Sequence, residues 1–161
     1  MKKRWLCLFV ENDIGVLARI SGLFSGKAYN LNSLTVGITE DETISRMTIS
    51  LFSDDQSFEQ IKKQLNRTVE VIKLIDYTDI SIQCKEIMFL KIGKCSEYEK
   101  TEIFRFALVY ALKVLDFNNT TVILECIKTE KENDKIKNLL RNAFDNPIEI
   151  VRGGSVAIEA V

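Results

Sequence analysis

The stretch Glu11-Asn12-Asp13-Ile14-Gly15-Val16-Leu17-Ala18-Arg19-Ile20-Ser21-Gly22-Leu23-Phe24 decides the fold, because the hydrophobic period changes within it. Residues 5–10, just upstream, are apolar without a break and read as a strand. Glu11-Asn12-Asp13-Ile14-Gly15 interrupts that run with turn and helix-start chemistry. Val16, Leu17, Ile20, Leu23 and Phe24 then recur at helical spacing, giving one apolar stripe on a helix that stops near Gly26 to Ala28.

Downstream, residues 31–39 and 43–53 look like two strands joined by the acidic turn Glu40-Asp41-Glu42. Asp54-Asp55 opens a second helix with Phe58, Ile61 and Leu65 on one face. Residues 69–76, rich in β-branched side chains, form a fourth strand. The order β-α-β-β-α-β is the split βαβ, or ferredoxin-like, unit: an antiparallel four-stranded sheet with both helices on one face.

The order then repeats. Residues 86–92 are strand-like, and Phe104, Ala107, Leu108, Ala111 and Leu112 mark a helix. Residues 114–117 and 120–127 flank the turn pair Asn118-Asn119. Ile136, Leu139, Leu140, Ala143 and Phe144 mark another helix, and Pro147 precedes the strand-like 148–151. The expected architecture is therefore α+β, two tandem ferredoxin-like βαββαβ units spanning 1–77 and 78–161 and joined by a short link around 78–85. Side chains alternate along a strand, so if Leu6, Leu8 and Val10 face the helices, Trp5, Cys7 and Phe9 point the other way. Covering that face takes another domain or another chain.

Composition narrows the function. Lys and Arg number 22 against 23 Asp and Glu, a net charge of -1 that offers no attraction to phosphate backbones, so no nucleic-acid partner is expected. The apolar run after Met1-Lys2-Lys3-Arg4 is too short for a membrane span or a secretory signal, which predicts a cytoplasmic protein without a membrane partner. Cys7, Cys84, Cys95 and Cys126 form no C-x-x-C pair and there is no histidine, so reduced thiols and no metal site are expected. The absence of histidine also excludes Ser/His and Cys/His nucleophile pairs, and no catalytic residues are assigned. Glu40-Asp41-Glu42, Asp54-Asp55 and the Lys/Glu-rich 129–137 read as solvated turns and helix starts rather than metal clusters.

The loop at 12–15 admits two readings. It is an ordinary capped helix start, or it is a carboxylate site: unpaired helix N-terminal amides carry partial positive charge, Gly15 admits close approach, and Asn12 or Asp13 could hold an ammonium group.

The residues also resemble a known family. The block from Glu11 to Phe24, then Tyr29-Asn30-Leu31-Asn32-Ser33-Leu34-Thr35-Val36, Ser45-Arg46-Met47-Thr48 and Gln60-Ile61-Lys62-Lys63-Gln64-Leu65-Asn66 are similar, in order, to the small subunit of acetohydroxyacid (acetolactate) synthase. The resemblance implies an N-terminal ACT domain that dimerises and binds valine or a related branched-chain amino acid. It implies that Asn12, Asp13, Ile14, Gly15, Val16 and Leu17 surround the effector, with Asn30 and Leu31 reaching it from the second subunit of a homodimer.

The chain would carry no cofactor. Thiamine diphosphate, Mg and FAD would belong to the large catalytic subunit, which this one would activate and subject to feedback inhibition in branched-chain amino acid biosynthesis. An alternative is a free-standing ACT-type sensor acting on another partner or on gene regulation. The second half resembles the family through Glu86-Ile87-Met88-Phe89-Leu90-Lys91-Ile92, Leu112-Lys113-Val114-Leu115-Asp116 and Arg152-Gly153-Gly154. Ala28 stands where the family commonly has glycine; a left-handed backbone there would cost about 1 kcal/mol, or the turn would shift to Asn30.

Overall fold

A computed structural model describes residues 1–26 and 29–161, so the expectation for Ala28 lies outside the described residues. Twelve elements follow in the order β1 (Lys2–Glu11), α1 (Val16–Ser25), β2 (Leu31–Ile38), β3 (Ile44–Ser53), α2 (Asp55–Leu65), β4 (Val71–Asp76), β5 (Ile82–Ile92), α3 (Glu97–Val109), β6 (Lys113–Phe117), β7 (Val122–Lys128), α4 (Glu130–Ala143) and β8 (Ile148–Glu159). The strands make two four-stranded sheets, ordered β2-β3-β1-β4 and β6-β7-β5-β8. The two orders are the same permutation, so the fold is α+β with two ferredoxin-like units.

The chain divides into two compact units: Met1–Gln83 with Val156–Val161, and Cys84–Ser155.

In the first unit, period-two burial along β1 sends Leu6, Leu8 and Val10 to the helix side. There they meet Met47, Ile49 and Leu51 of β3, Val16, Ile20 and Phe24 of α1, and Phe58, Ile61 and Leu65 of α2. Burying a side chain of this size stabilises by roughly 1.5–3 kcal/mol, so this one cluster dominates the unit's energetics. The second unit repeats the plan with Met88, Leu90, Ile92, Val122 and Leu124 under Ile103, Ala107, Ile136 and Leu140.

Two segments depart from the sequence expectation. Ala111 and Leu112, read as helical, lie beyond α3: Tyr110 ends the helix, and Ala111 turns the chain with a φ of 53°. Their apolar spacing reflects burial of Leu112 against the core, which periodicity alone does not separate from a helical stripe. Strand β8, expected to end at 151, runs through Arg152, Gly153 and Gly154 to Glu159. Glycine lowers strand propensity, but a Cβ at Gly153 would come within 2.7 Å of the Ile87 side chain, so a larger residue there would force that packing to shift.

On the other face of β1, Cys7 is fully buried and accepts from Arg46 Nε, while Trp5 and Phe9 stay half-buried.

Candidate functional site: the loop between β1 and α1

Residues 12–17 connect the end of β1 to the first turn of α1, and hydrogen bonds lock them to the β2–β3 hairpin. The Asn12 backbone N–H donates to the Thr43 carbonyl at 2.7 Å. Its side-chain Nδ2 donates to the Glu42 carbonyl at 2.8 Å, and its Oδ1 accepts from the Ser45 hydroxyl at 2.9 Å. The hairpin is itself stiffened, because the Asp41 carboxylate accepts from both the Thr43 backbone and the Thr43 hydroxyl. Those bonds, the hydroxyl first, hold the Asp41 carboxyl below the usual carboxylate range. Asn12 is thus engaged at both ends of its carboxamide, as a positioning residue for the loop.

Asp13 accepts from the Ile14 N–H at 2.7 Å through one carboxylate oxygen. Gly15 then takes φ 85° and ψ -8°, a left-handed geometry that an L side chain enters at about 1 kcal/mol or more. No atom lies within 4 Å of where its Cβ would stand, so glycine is required here by backbone conformation and not by crowding.

Helix α1 starts from this residue with no side-chain cap and no acidic residue in its first turn. Its first intrahelical bond runs from the Arg19 N–H to the Gly15 carbonyl at 3.0 Å. The Leu17 and Ala18 amides therefore point out of the helix end with no acceptor among the described hydrogen bonds. Val16 is buried, whereas Ile14 is 94% exposed and Leu17 is 47% exposed beside the open amides. Such an end offers donors and partial positive charge for a carboxylate, with apolar surface next to it.

The structure brings Asn12, Asp13, Ile14, Gly15, Val16 and Leu17 together in this loop. It does not bring Asn30 and Leu31 there within one chain. Leu31 pairs with Leu51, which pairs with Arg4 at the start of β1, whereas the loop follows Glu11 at the other end. Seven residues of strand separate the two ends, about 23 Å at the usual rise. β2 is an edge strand of the sheet, so its outer side faces away from β3.

Sequence reasoning missed Ser45 and the Glu42 carbonyl as partners of Asn12. Only the β1–β3 register, which sets Val10 beside Ser45, brings them within reach.

Residues 6–73 match the AHAS small subunit-like ACT domain, and residues 85–161 match the Small subunit of acetolactate synthase. The chain belongs to the acetolactate synthase small-subunit family. It is 35% identical over 156 residues to the acetolactate synthase small subunit of Buchnera aphidicola subsp. Schizaphis graminum, covering 97% of this chain and 98% of that protein. It is 33% identical to the acetolactate synthase isozyme 3 small subunit of Escherichia coli (strain K12), covering 97% of this chain and 94% of that one. The crystal structure of the acetolactate synthase small subunit from Thermotoga maritima superposes with a TM-score of 0.87 at 27% identity, over 100% of this chain and 99% of that one. Membership of the acetolactate synthase small-subunit family thus spans both units. Among the described residues no helix is long and apolar enough to cross a membrane, and no group of three His, Cys, Asp or Glu side chains is placed to hold a metal ion.

Proposed function

We propose that this chain is the regulatory subunit of acetohydroxyacid synthase, which activates the catalytic subunit and confers feedback inhibition by valine or a related branched-chain amino acid. The observation that carries the proposal is the uncapped start of α1 at Gly15 in a chain matched along its length by small subunits of that enzyme. The effector carboxylate accepts from the first-turn amides, Asp13 accepts from its ammonium group, and Ile14 and Leu17 provide apolar surface above the buried Val16. Asn12 holds the loop in place. Thiamine diphosphate, Mg and FAD belong to the catalytic partner, in a cytoplasmic enzyme of branched-chain amino acid biosynthesis.

A homodimer through the ACT domain completes this site. β2 runs parallel to β1 because both are antiparallel to β3, so Ile38 lies at the loop end of the sheet and Leu31 at the other. Antiparallel pairing of β2 with its copy sets Asn30 and Leu31 of one chain against the Ile38 end of its partner. That is the end where the partner's residues 12–17 stand. The distance between these two groups within one chain, and the exposed Val36 and Ile38 on β2, support this arrangement.

Effector binding can shift the enzyme only by the difference in its affinity for the active and inhibited arrangements, so valine binds the inhibited one more tightly. The test is reconstitution: acetolactate formation by a purified catalytic subunit, measured with increasing amounts of this chain and then with valine. Activation followed by valine inhibition is expected. No change in rate on adding the chain would refute the proposal.

A further inference from the structure

Arg46 lies on the face of the first sheet opposite the helices, in register with Phe9. Its Nε donates to the Cys7 sulfur at 3.1 Å, and its guanidinium carbon stands 5.5 Å from the Phe9 ring centroid. Its Nη2 donates to the Tyr77 hydroxyl at 3.2 Å and to the Ala157 carbonyl at 2.7 Å. Cys7, Tyr77 and Ala157 are all buried. Among the described ion pairs Arg46 has no carboxylate. A guanidinium satisfied by a thiol, a phenol and a main-chain carbonyl fixes the course of a backbone more than it neutralises a charge.

That backbone is unusual. β8 begins in the second unit, turns through Gly154 at φ 79°, and ends in residues that belong to the first unit. Besides the Arg46 bond, this strap is tied at its far end by the Ala160 N–H, which donates to the Ser81 carbonyl at 2.9 Å.

The residue before Arg46 reaches the other way. Adjacent side chains on a strand point to opposite faces. Ser45 faces the helix side and donates to Asn12 of the loop, while Arg46 faces the strap. The loop's partner and the strap's clasp are thus neighbouring residues, one peptide unit apart on β3.

We infer that Arg46 is the clasp holding the C-terminal strap, residues 156–161, on the first sheet, and that Ser45 and Arg46 carry the effector signal from the 12–17 loop to that strap. The transmission rests on the proposed effector role of the loop; the clasp does not.

The experiment is hydrogen–deuterium exchange on the full-length chain, with Arg46→Met, alongside valine inhibition of the reconstituted enzyme. Loss of a charged hydrogen bond to the strap raises exchange at 157–160 by about tenfold or more, with 6–10 and 47–51 still protected. The variant still activates the catalytic subunit and binds valine by calorimetry, but valine no longer inhibits. Unchanged strap exchange in a folded Arg46→Met chain would overturn the clasp, and full valine inhibition in that variant would overturn the transmission. If Arg46→Met loses protection at 47–51, Arg46→Lys, which keeps the charge and stem but not the fork, is read by the same criteria. A wild-type chain that leaves the enzyme insensitive to valine would sink the effector role and the transmission, while strap exchange would still decide the clasp.

Discussion

The two units share one strand order and one core plan, yet their first helices begin in opposite ways. In the second unit, α3 starts with a reciprocal cap: Ser96 accepts from the Glu99 N–H, and Glu99 accepts from the Ser96 N–H at 2.7 Å. α4 repeats the device with Thr129 and Glu132, and in the first unit Asp54 caps α2. Among the described helices only α1 starts at a left-handed glycine with no side chain on its amides. A capped helix end has its donors satisfied by its own chain, whereas an open one leaves them for an acceptor from outside. The comparison separates a unit whose helix starts are both closed by its own side chains from one that leaves the start of α1 open.

The largest effect should come from breaking the self-sufficiency of the second unit. Arg152 donates to both oxygens of the buried Glu86, at 2.5 and 2.9 Å, and to Asp134 at 2.7 Å. Burial would raise the Asp134 carboxyl, but hydrogen bonds from Lys137 and Arg152 outweigh it and hold it low. Arg152→Met leaves Glu86 buried without its cation and should cost about 2–3 kcal/mol in chemical denaturation. Valine binding should be unchanged, because the cluster belongs to the other unit.

Next in size, Gly15→Asp strains the left-handed position and puts a carboxylate beside the amides of α1. Valine affinity should fall by about two orders of magnitude in calorimetry, with activation of the catalytic subunit kept. Asn30→His should also remove feedback, and its effect is rescued in mixed dimers only when the altered residue and an intact loop lie in different sites. A smaller effect is expected from Ser96→Ala, about 1 kcal/mol of stability and no change in valine response.

The smallest effect is a pH dependence carried by the helix caps. Glu99 is held below its usual range by the Ser96 backbone and then its hydroxyl, and Glu132 by the Thr129 hydroxyl and then its backbone. A depressed folded pKa stabilises the fold fully above the unfolded value, about 4.3, and that contribution is lost as pH falls through the lower folded value. Acid titration of stability should therefore be shallower in Glu99→Gln than in the wild type. α1, with no acidic residue in its first turn, contributes nothing to this slope.

Much of this contrast was legible in the sequence. The change of period at Gly15 and the repeated element order follow from local pattern, which is why both sheets and all four helices were expected. Asp54 reads as a cap for the same reason. The rest depended on pairing between distant residues. The length of β8 was hidden because Gly153 and Gly154 look like a break, and only the packing of Ile87 shows why a glycine stands at 153 within a strand. Asn12 looked like a ligand contact, yet the β1–β3 register makes it a partner of Ser45 and Glu42. The candidate loop itself could be found from Gly15, but its separation from Asn30 required the strand register.

The most direct test of the account follows the backbone amides of Gly15, Leu17 and Ala18 by nuclear magnetic resonance as valine is added to the full-length chain. These amides are expected to shift saturably, while those of Glu97 to Glu99, closed by their own cap, stay where they are. Saturable valine binding with the α1 amides unmoved would contradict it.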